Sequence, residues 1–175
     1  NTHFVNETGI EDKDQYTTAY DMYLITKYAL QNPRFMELSN TVHKKIAPTN
    51  VTPEQRYFTN SNYLICNFDT TAYYYKYADG VINGYTPEAG YCLISIGKQS
   101  GNAMQLICVV MGGSRDEESR MISSFVDAKG GMEDTFNSYG IKKISTAGDV
   151  ITEAKVEAGK EKDFVAVGSE KDIQV

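Results

Sequence analysis

Residues 79–113 read DGVINGYTPEAGYCLISIGKQSGNAMQLICVVMGG. Three apolar runs sit close together in this stretch: Val81–Ile82, Tyr91–Ile96 and Met104–Met111. Gly-containing turns separate them. Runs of this length, rich in Val, Ile, Tyr and Cys, read as strands. Lys98–Asn102, KQSGN, is a short polar loop containing glycine, and it predicts an antiparallel hairpin between the last two runs. A polar, aromatic approach precedes the first run, and Gly112–Gly113 and a charged segment follow the last. The expectation is a three-strand meander on which the other segments pack. Its first strand is where an active site would lie.

Upstream, Asn1–Asp14 is polar and reads as an ordered loop. Thr17–Asn32 carries the clearest helical pattern. Thr18 is placed to cap it, with Asp21 at the capping-box position. Ala19, Met22, Ile25, Ala29 and Leu30 form the apolar stripe. Asn32–Pro33 ends this helix, because a residue before proline disfavours the α region. Arg34–Thr41 reads as a second, short helix with Phe35, Met36 and Leu38 as its apolar contacts. Lys44–Asn67 reads as loop and short extended structure, with Asn60 and Asn62 suited to capping turns. Tyr73–Tyr75 and Tyr77 form an aromatic cluster that fits a half-buried strand or a groove wall.

Downstream, Asp116–Tyr139 predicts a long helix. Asp116, Glu117 and Glu118 enrich its first turn, which suits the positive end of the helix dipole. Met121, Ile122, Phe125, Val126, Ala128, Met132 and Phe136 supply its buried face. Gly130–Gly131 costs about 1 kcal/mol per glycine relative to alanine, so a local break is expected there. From Ile141 the texture changes to short runs, Val150–Ile151, Ala154–Val156, Phe164–Val167 and Ile173–Val175, with turns at AGD, AGKEKD and GSEKD. This is the pattern of a small β domain. The reading therefore divides the chain into 1–140 and 141–175, with the second part the start of a β-rich domain.

Composition excludes several classes. The chain has 175 residues, 17 basic and 23 acidic, for a net charge of −6, and no basic stripe argues for nucleic acid. No apolar run approaches the roughly 18 residues that a membrane span needs. Cys66, Cys92 and Cys108 are widely spaced and read as small buried hydrophobes. His3 and His43 have no paired acid and there is no CxxC, so neither a metal site nor a cofactor is called.

Four segments carry a resemblance: Asn1-Thr-His-Phe-Val-Asn6 with Gly9-Ile10, Tyr16-Thr-Thr-Ala-Tyr-Asp21, Tyr28-Ala-Leu-Gln-Asn-Pro33, and Gly84-Tyr-Thr-Pro-Glu-Ala-Gly-Tyr-Cys92. In this order they resemble the serine D-alanyl-D-alanine carboxypeptidases, the low-molecular-mass penicillin-binding proteins. The likeness runs over most of Asn1–Tyr139, and the tail is similar to the start of that family's C-terminal β domain. It implies an α+β fold, an antiparallel sheet flanked by helices as in penicillin-binding and β-lactamase-like transpeptidases. Residues 79–113 would be the last three of its five strands.

The resemblance also implies a chemistry. A serine in Ser-x-x-Lys attacks the D-Ala–D-Ala carbonyl and the lysine assists its deprotonation. A Ser-x-Asn motif adds a hydroxyl and an amide. A Lys-Thr-Gly triplet edges the site, and the N–H after its glycine completes the oxyanion hole. The family places the two serine motifs upstream of its Asn-Thr-x-Phe segment, which stands here at residue 1, so both are expected outside these residues. The triplet position reads Ile82-Asn83-Gly84. The substrate-binding strand is thus expected at Ile82, Asn83, Gly84, Tyr85 and Thr86, with the cation replaced by isoleucine. Loss of such a preorganised group costs roughly 3–4 kcal/mol of transition-state stabilisation.

Other serines do not supply the nucleophile. Ser95-Ile-Gly-Lys98 matches Ser-x-x-Lys by letters only, because at strand period residues three apart face opposite sides. Ser123–Ser124 lack a lysine one turn on, and Ser61–Asn62 is loop. Glu117–Glu118 read as helix-start electrostatics, and Lys142–Lys143 and Lys160–Lys162 as solvated charge. No catalytic residue is assigned within the chain.

The resemblance implies a cell-envelope, extracytoplasmic protein of peptidoglycan metabolism that binds a stem peptide or a β-lactam. An alternative is a non-catalytic peptidoglycan- or protein-binding member of the same fold. An open apolar sheet edge further predicts a partner, either an upstream segment of the same protein or a second chain.

Overall fold

The structure, a computed structural model, describes residues 1–101, 104–155, 157 and 164–175. Val156, Asn102, the AGKEKD turn and Lys160–Lys162 therefore lie outside the described residues, in whole or in part. Two compact units are present, Asn1–Ser138 and Tyr139–Val175.

In the first unit, residues 78–113 form an antiparallel meander in the order β3-β4-β5: β3 is Ala78–Thr86, β4 Gly90–Lys98 and β5 Gln105–Gly113. Its central strand is buried on both faces. Leu93, Ser95 and Gly97 face one side and Ile94 and Ile96 the other, with Leu93 1% and Ile96 0% exposed. That double burial explains the near-continuous apolar run. Ser95 and Lys98 are both engaged with Asp79. The Ser95 hydroxyl donates to the Asp79 carbonyl at 2.8 Å, and the Lys98 ammonium pairs with the Asp79 carboxylate at 2.8 Å. Neither is free to act as nucleophile or base.

Helix α3, Ser123–Ser138, lies on the Leu93 face, where Phe125, Ala128, Met132 and Phe136 join Leu64, Tyr73 and Tyr75 in the core. Two expectations are corrected here. The helix does not begin at Asp116. Asp116 Oδ1 accepts from the Ser119 N–H and hydroxyl, both at 2.7 Å, and Arg115 forms an antiparallel bridge with Ile122. These local bonds hold 116–119 in a turn that competes with helix, so the acids there serve the turn and not a helix dipole. Nor do Gly130 and Gly131 break the helix, because the packing of its apolar face overrides their intrinsic penalty. Val126, expected on the buried face, is exposed.

The remaining helices are α1, Ala19–Ala29, and α2, Pro33–Ser39. Thr18 caps α1 by accepting from the Asp21 N–H at 3.1 Å, and Asn32 caps α2 through the Arg34 N–H at 3.0 Å. The buried face of α1 is rotated from the expected stripe: Thr26 is buried, while Ala19 and Ile25 are exposed. Leu38 on α2 is exposed as well. Residues 43–59, read as loop and extended chain, form a hairpin of β1, His43–Ile46, and β2, Arg56–Thr59. His43 lies exposed on β1. Asn60 and Asn62 do tie turns: Asn60 Oδ1 accepts from the Asn62 N–H at 2.9 Å and Asn62 Oδ1 accepts from the Leu64 N–H at 3.0 Å.

The second unit holds two antiparallel pairs, β6 (Lys143–Ser145) with β9 (Ile173–Gln174), and β7 (Val150–Lys155) with β8 (Phe164–Gly168).

An added Cβ at Gly130 or Gly131 would meet nothing within 4 Å. Gly130→Ala is therefore expected to raise stability by about 1 kcal/mol, read as a higher denaturant midpoint at unchanged slope. Leu93→Ala should instead lower it by about 2–5 kcal/mol.

Candidate functional site

The expected site strand is β3, an edge strand of the meander. A bulge between Gly80 and Ile82 resets its alternation. Beyond it, Ile82 pairs with Ile94 and Asn83 with Leu93, so the two side chains leave on opposite faces. Ile82 and Asn83 thus serve two different grooves.

Ile82 is 61% exposed and opens on an apolar groove of about 490 Å³, walled by Phe4, Tyr16, Val109 and Met111. An isoleucine fits that lining. Asn83 and Tyr85 face the other side. Asn83 Oδ1 accepts from the Ser61 hydroxyl at 3.1 Å. Tyr85 lies against Tyr91, with centroids 4.3 Å apart. They border a polar groove of about 690 Å³ with Arg115, Arg120 and Ser124.

Gly84 sits between the two. A Cβ there would meet nothing within 4 Å, whereas one on Gly80 would lie 2.6 Å from Ile65 and one on Gly97 3.0 Å from Met132. Packing demands glycine at 80 and leaves a side chain at 97 tightly placed, but the fold makes no such demand at 84. Thr86 is placed apart from the groove, at the strand end. Its hydroxyl accepts from the Ala89 N–H at 3.1 Å and so closes the β3–β4 turn.

Three groove residues were not anticipated from sequence. Arg115 Nε donates to the Arg120 carbonyl at 3.0 Å, and Arg120 takes a left-handed backbone with φ 61°, a conformation costly for a side-chain-bearing residue. Ser124 is 1% exposed, and its hydroxyl has no protein partner. Two guanidinium groups, a buried hydroxyl and the start of α3 converge on one groove. Such a set suits a carboxylate. The signal available in the sequence was the Asp116-to-Ser119 spacing, which marks a turn; reading 116–139 as one helix concealed it.

At the other end of the strand the Glu11 and Glu88 carboxyl groups meet. The hydrogen bond that protonated Glu11 donates to the Glu88 carboxylate raises the Glu11 pKa, with smaller contributions from burial and charge repulsion, while the Thr86 hydroxyl opposes the shift. Glu11 therefore holds its proton more tightly in the folded chain. Its contribution to clasping residues 9–14 onto the β3–β4 turn is present at acid pH and is lost as pH rises through its raised pKa.

Residues 1–115 match the D-alanyl-D-alanine carboxypeptidase family. The chain is 29% identical to the D-alanyl-D-alanine carboxypeptidase DacF of Bacillus subtilis over 176 aligned positions, covering 100% of this chain and 41% of that protein. It is also 29% identical to the D-alanyl-D-alanine carboxypeptidase DacA of Haemophilus influenzae, covering 97% and 38%. It thus spans about two fifths of these relatives' length. Among solved structures, a peptidoglycan synthesis regulatory factor from Streptococcus pneumoniae superposes with a TM-score of 0.65 at 22% identity, over 94% of this chain and 44% of that one. The carboxypeptidase DacD from Francisella tularensis gives 0.63 at 20%, over 100% and 51%. The architecture is accordingly that of a penicillin-binding peptidase, α+β with an antiparallel sheet flanked by helices.

In a carboxyl-carbon NMR titration, Glu88→Ala is expected to bring the Glu11 pKa down towards its ordinary value. A Glu11 pKa equal in the two proteins would show that the carboxyls do not interact.

Proposed function

The chain belongs to the D-alanyl-D-alanine carboxypeptidase family, and from that premise we propose that it carries the substrate-binding edge of a peptidase acting on peptidoglycan stem peptides. The reaction is serine acyl-enzyme hydrolysis of the terminal D-alanine. In this reading the peptide lies along β3 at Ile82–Thr86, and the open edge at Gly84 lets its backbone approach. The Tyr85 N–H serves as an oxyanion-hole donor. The terminal carboxylate enters the polar groove, where Arg120 pairs with it and the Ser124 hydroxyl donates to it. The observation that carries the proposal is Gly84: the fold does not require a glycine there, but a closely approaching substrate would.

The nucleophile comes from outside the 175 residues. Residues 1–140 would form the C-terminal portion of the peptidase domain, and 141–175 the start of a β domain. The required partner is a further segment of the same protein or a second chain, pairing with the β5 edge of the sheet. Because peptidoglycan lies outside the cytoplasmic membrane, the protein would work there. Among the described residues no helix is long and apolar enough to cross a membrane.

A second reading is favoured by Ile82. An exposed isoleucine in an apolar groove supplies no positive potential to an acylation site. On that reading the protein binds peptidoglycan peptides or a protein without turning them over.

Incubating the chain with fluorescent penicillin is expected to leave no covalent adduct; a stable adduct would show that it holds its own nucleophile. Arg120→Ala should weaken binding of a peptide ending in D-Ala-D-Ala by about 10- to 100-fold, the loss of one charged hydrogen bond. In the assembled protein, Ile82→Lys with Asn83→Thr should speed penicillin acylation if the peptidase reading holds. An unchanged rate there would favour the binding reading.

A further inference from the structure

The tyrosine run at 73–77 is not used by the proposed site. Tyr73 and Tyr75 turn into the core at 6% and 7% exposure, while Tyr74 points outward at 41%. Tyr74 and Tyr75, with Tyr77 and the C-terminal half of α3, line a third, open cavity of about 470 Å³.

This cavity has a rigid aromatic wall. Tyr75 and Tyr77 meet edge to face, 5.5 Å apart at 85°. The Lys76 ammonium sits 4.6 Å from the Tyr77 centroid. Lys76 and Gln99 both hydrogen-bond the Tyr77 side chain and draw its pKa below the usual tyrosine value. On the opposite wall, Lys129 and Glu133 stand one turn apart on α3 and bring a donor and an acceptor to the same opening. The charges are mixed, so the cavity selects neither an anion nor a cation. The exposed Tyr74 ring, with amide and mixed-charge polar groups around it, suits a ligand with an apolar C–H face and a rim of hydroxyl and amide groups. That is the chemistry of a pyranose bearing an N-acetyl group.

We propose that the cavity between Tyr74–Tyr77 and α3 is a saccharide subsite that takes an N-acetylated hexosamine of the glycan strand. The choice of that sugar rests on the peptidoglycan reading above; the carbohydrate character rests on the cavity alone. Its position supports the assignment. The polar groove and this cavity share two walls, the 61–77 segment and α3: Tyr63, Tyr73 and Phe125 line the first, and Tyr74, Tyr75 and Glu133 the second. Along β3, Ala78 and Gly84 are roughly 20 Å apart at about 3.3 Å per residue. An extended peptide of about six residues spans that distance. The run of β3 from Ala78 to Gly84 thus lies between this cavity and the peptide edge proposed above. The preferred substrate would then be a stem peptide still attached to glycan.

The test is a titration of the 175-residue chain with the β-1,4-linked tetramer of N-acetylglucosamine, followed by amide NMR, with a D-Ala-D-Ala peptide titrated in parallel. Saturable shifts centred on Tyr74–Tyr77, Gln99 and Glu133 are expected. Tyr74→Ala, a change at an exposed side chain, should weaken binding at least about tenfold, and Glu133→Gln should weaken it without changing the aromatic wall. Both variants should bind the peptide as the parent does. Absence of saturable binding, shifts centred on Ile82–Thr86, or undiminished binding by both variants would overturn the inference. Sugar binding without peptide binding would sink the stem-peptide reading while leaving the saccharide subsite standing.

Discussion

The double burial of β4 is the constraint on which the first unit depends. A strand packed on both faces has no solvent side, so each of its residues must meet a neighbour of matching size. Ile94 and Ile96 fill one face. On the other, Gly97 leaves room for Met132 and Phe136 of α3, and a Cβ there would lie within 3.0–3.2 Å of both side chains. That contact fixes where α3 lies along the sheet, and so places the start of α3, with Ser124, beside the Asn83 face of β3. The polar groove is thus a consequence of a packing requirement about ten residues away from it in the chain. The polar groups of β4 reinforce the arrangement: Ser95 and Lys98 both bind Asp79 and so hold β3 in register.

The bulge in β3 decides what the edge presents. Before it, Gly80 shares the Ser95 face; after it, Ile82 lies on the Ile94 face. Without the extra residue, Ile82 and Asn83 would exchange sides. Isoleucine would then project among arginines, and asparagine into a groove lined by Phe4 and Met111. At the start of the bulge only glycine fits at position 80, since a Cβ there would lie 2.6 Å from Ile65 and 2.8 Å from the Ser39 carbonyl. The residue identities at 82 and 83 therefore match the surroundings that the bulge selects. If positions 82–84 stand where the family carries Lys-Thr-Gly, as proposed, this match gives a physical reason for the residues found there.

The sequence made the three strands legible because their signal is local: apolar runs closed by glycine turns. It made the caps at Thr18 and Asn32 legible for the same reason. It did not make the turn at 116–119 legible, because helix and turn both favour acids there and only the Arg115–Ile122 bridge decides between them. The face of α1 was misread by one position, since Thr26 is buried by its place in the fold and not by its hydropathy. The 43–59 hairpin was missed as a unit because HKKI and RYFT carry no strict alternation. The family likeness located β3, but the separation of Ile82 from Asn83 and Tyr85 onto opposite faces needed the bulge, which leaves no mark in residue spacing.

The cationic groove raises a question of where positive potential is held. A lysine on a strand is fixed by the sheet and needs no local strain. Arg120 is held differently, on a turn and with a left-handed backbone that costs about 1–2 kcal/mol for a residue with a Cβ. Such a conformation persists only when its surroundings impose it. Here Arg115 binds the Arg120 carbonyl, Asp116 binds Ser119 twice, and the Asp116 N–H donates to the Met121 carbonyl at 2.8 Å. Four bonds within seven residues, 115–121, hold Arg120 at the groove. The asymmetry between an apolar Ile82 and a braced Arg120 separates two tasks that a peptidase site must perform. Gripping a terminal carboxylate needs a guanidinium at the groove, which is present. Lowering the barrier to acylation needs a cation next to the nucleophile, and on the proposed reading that position on β3 is Ile82. Retention of the first without the second would leave substrate binding less affected than turnover.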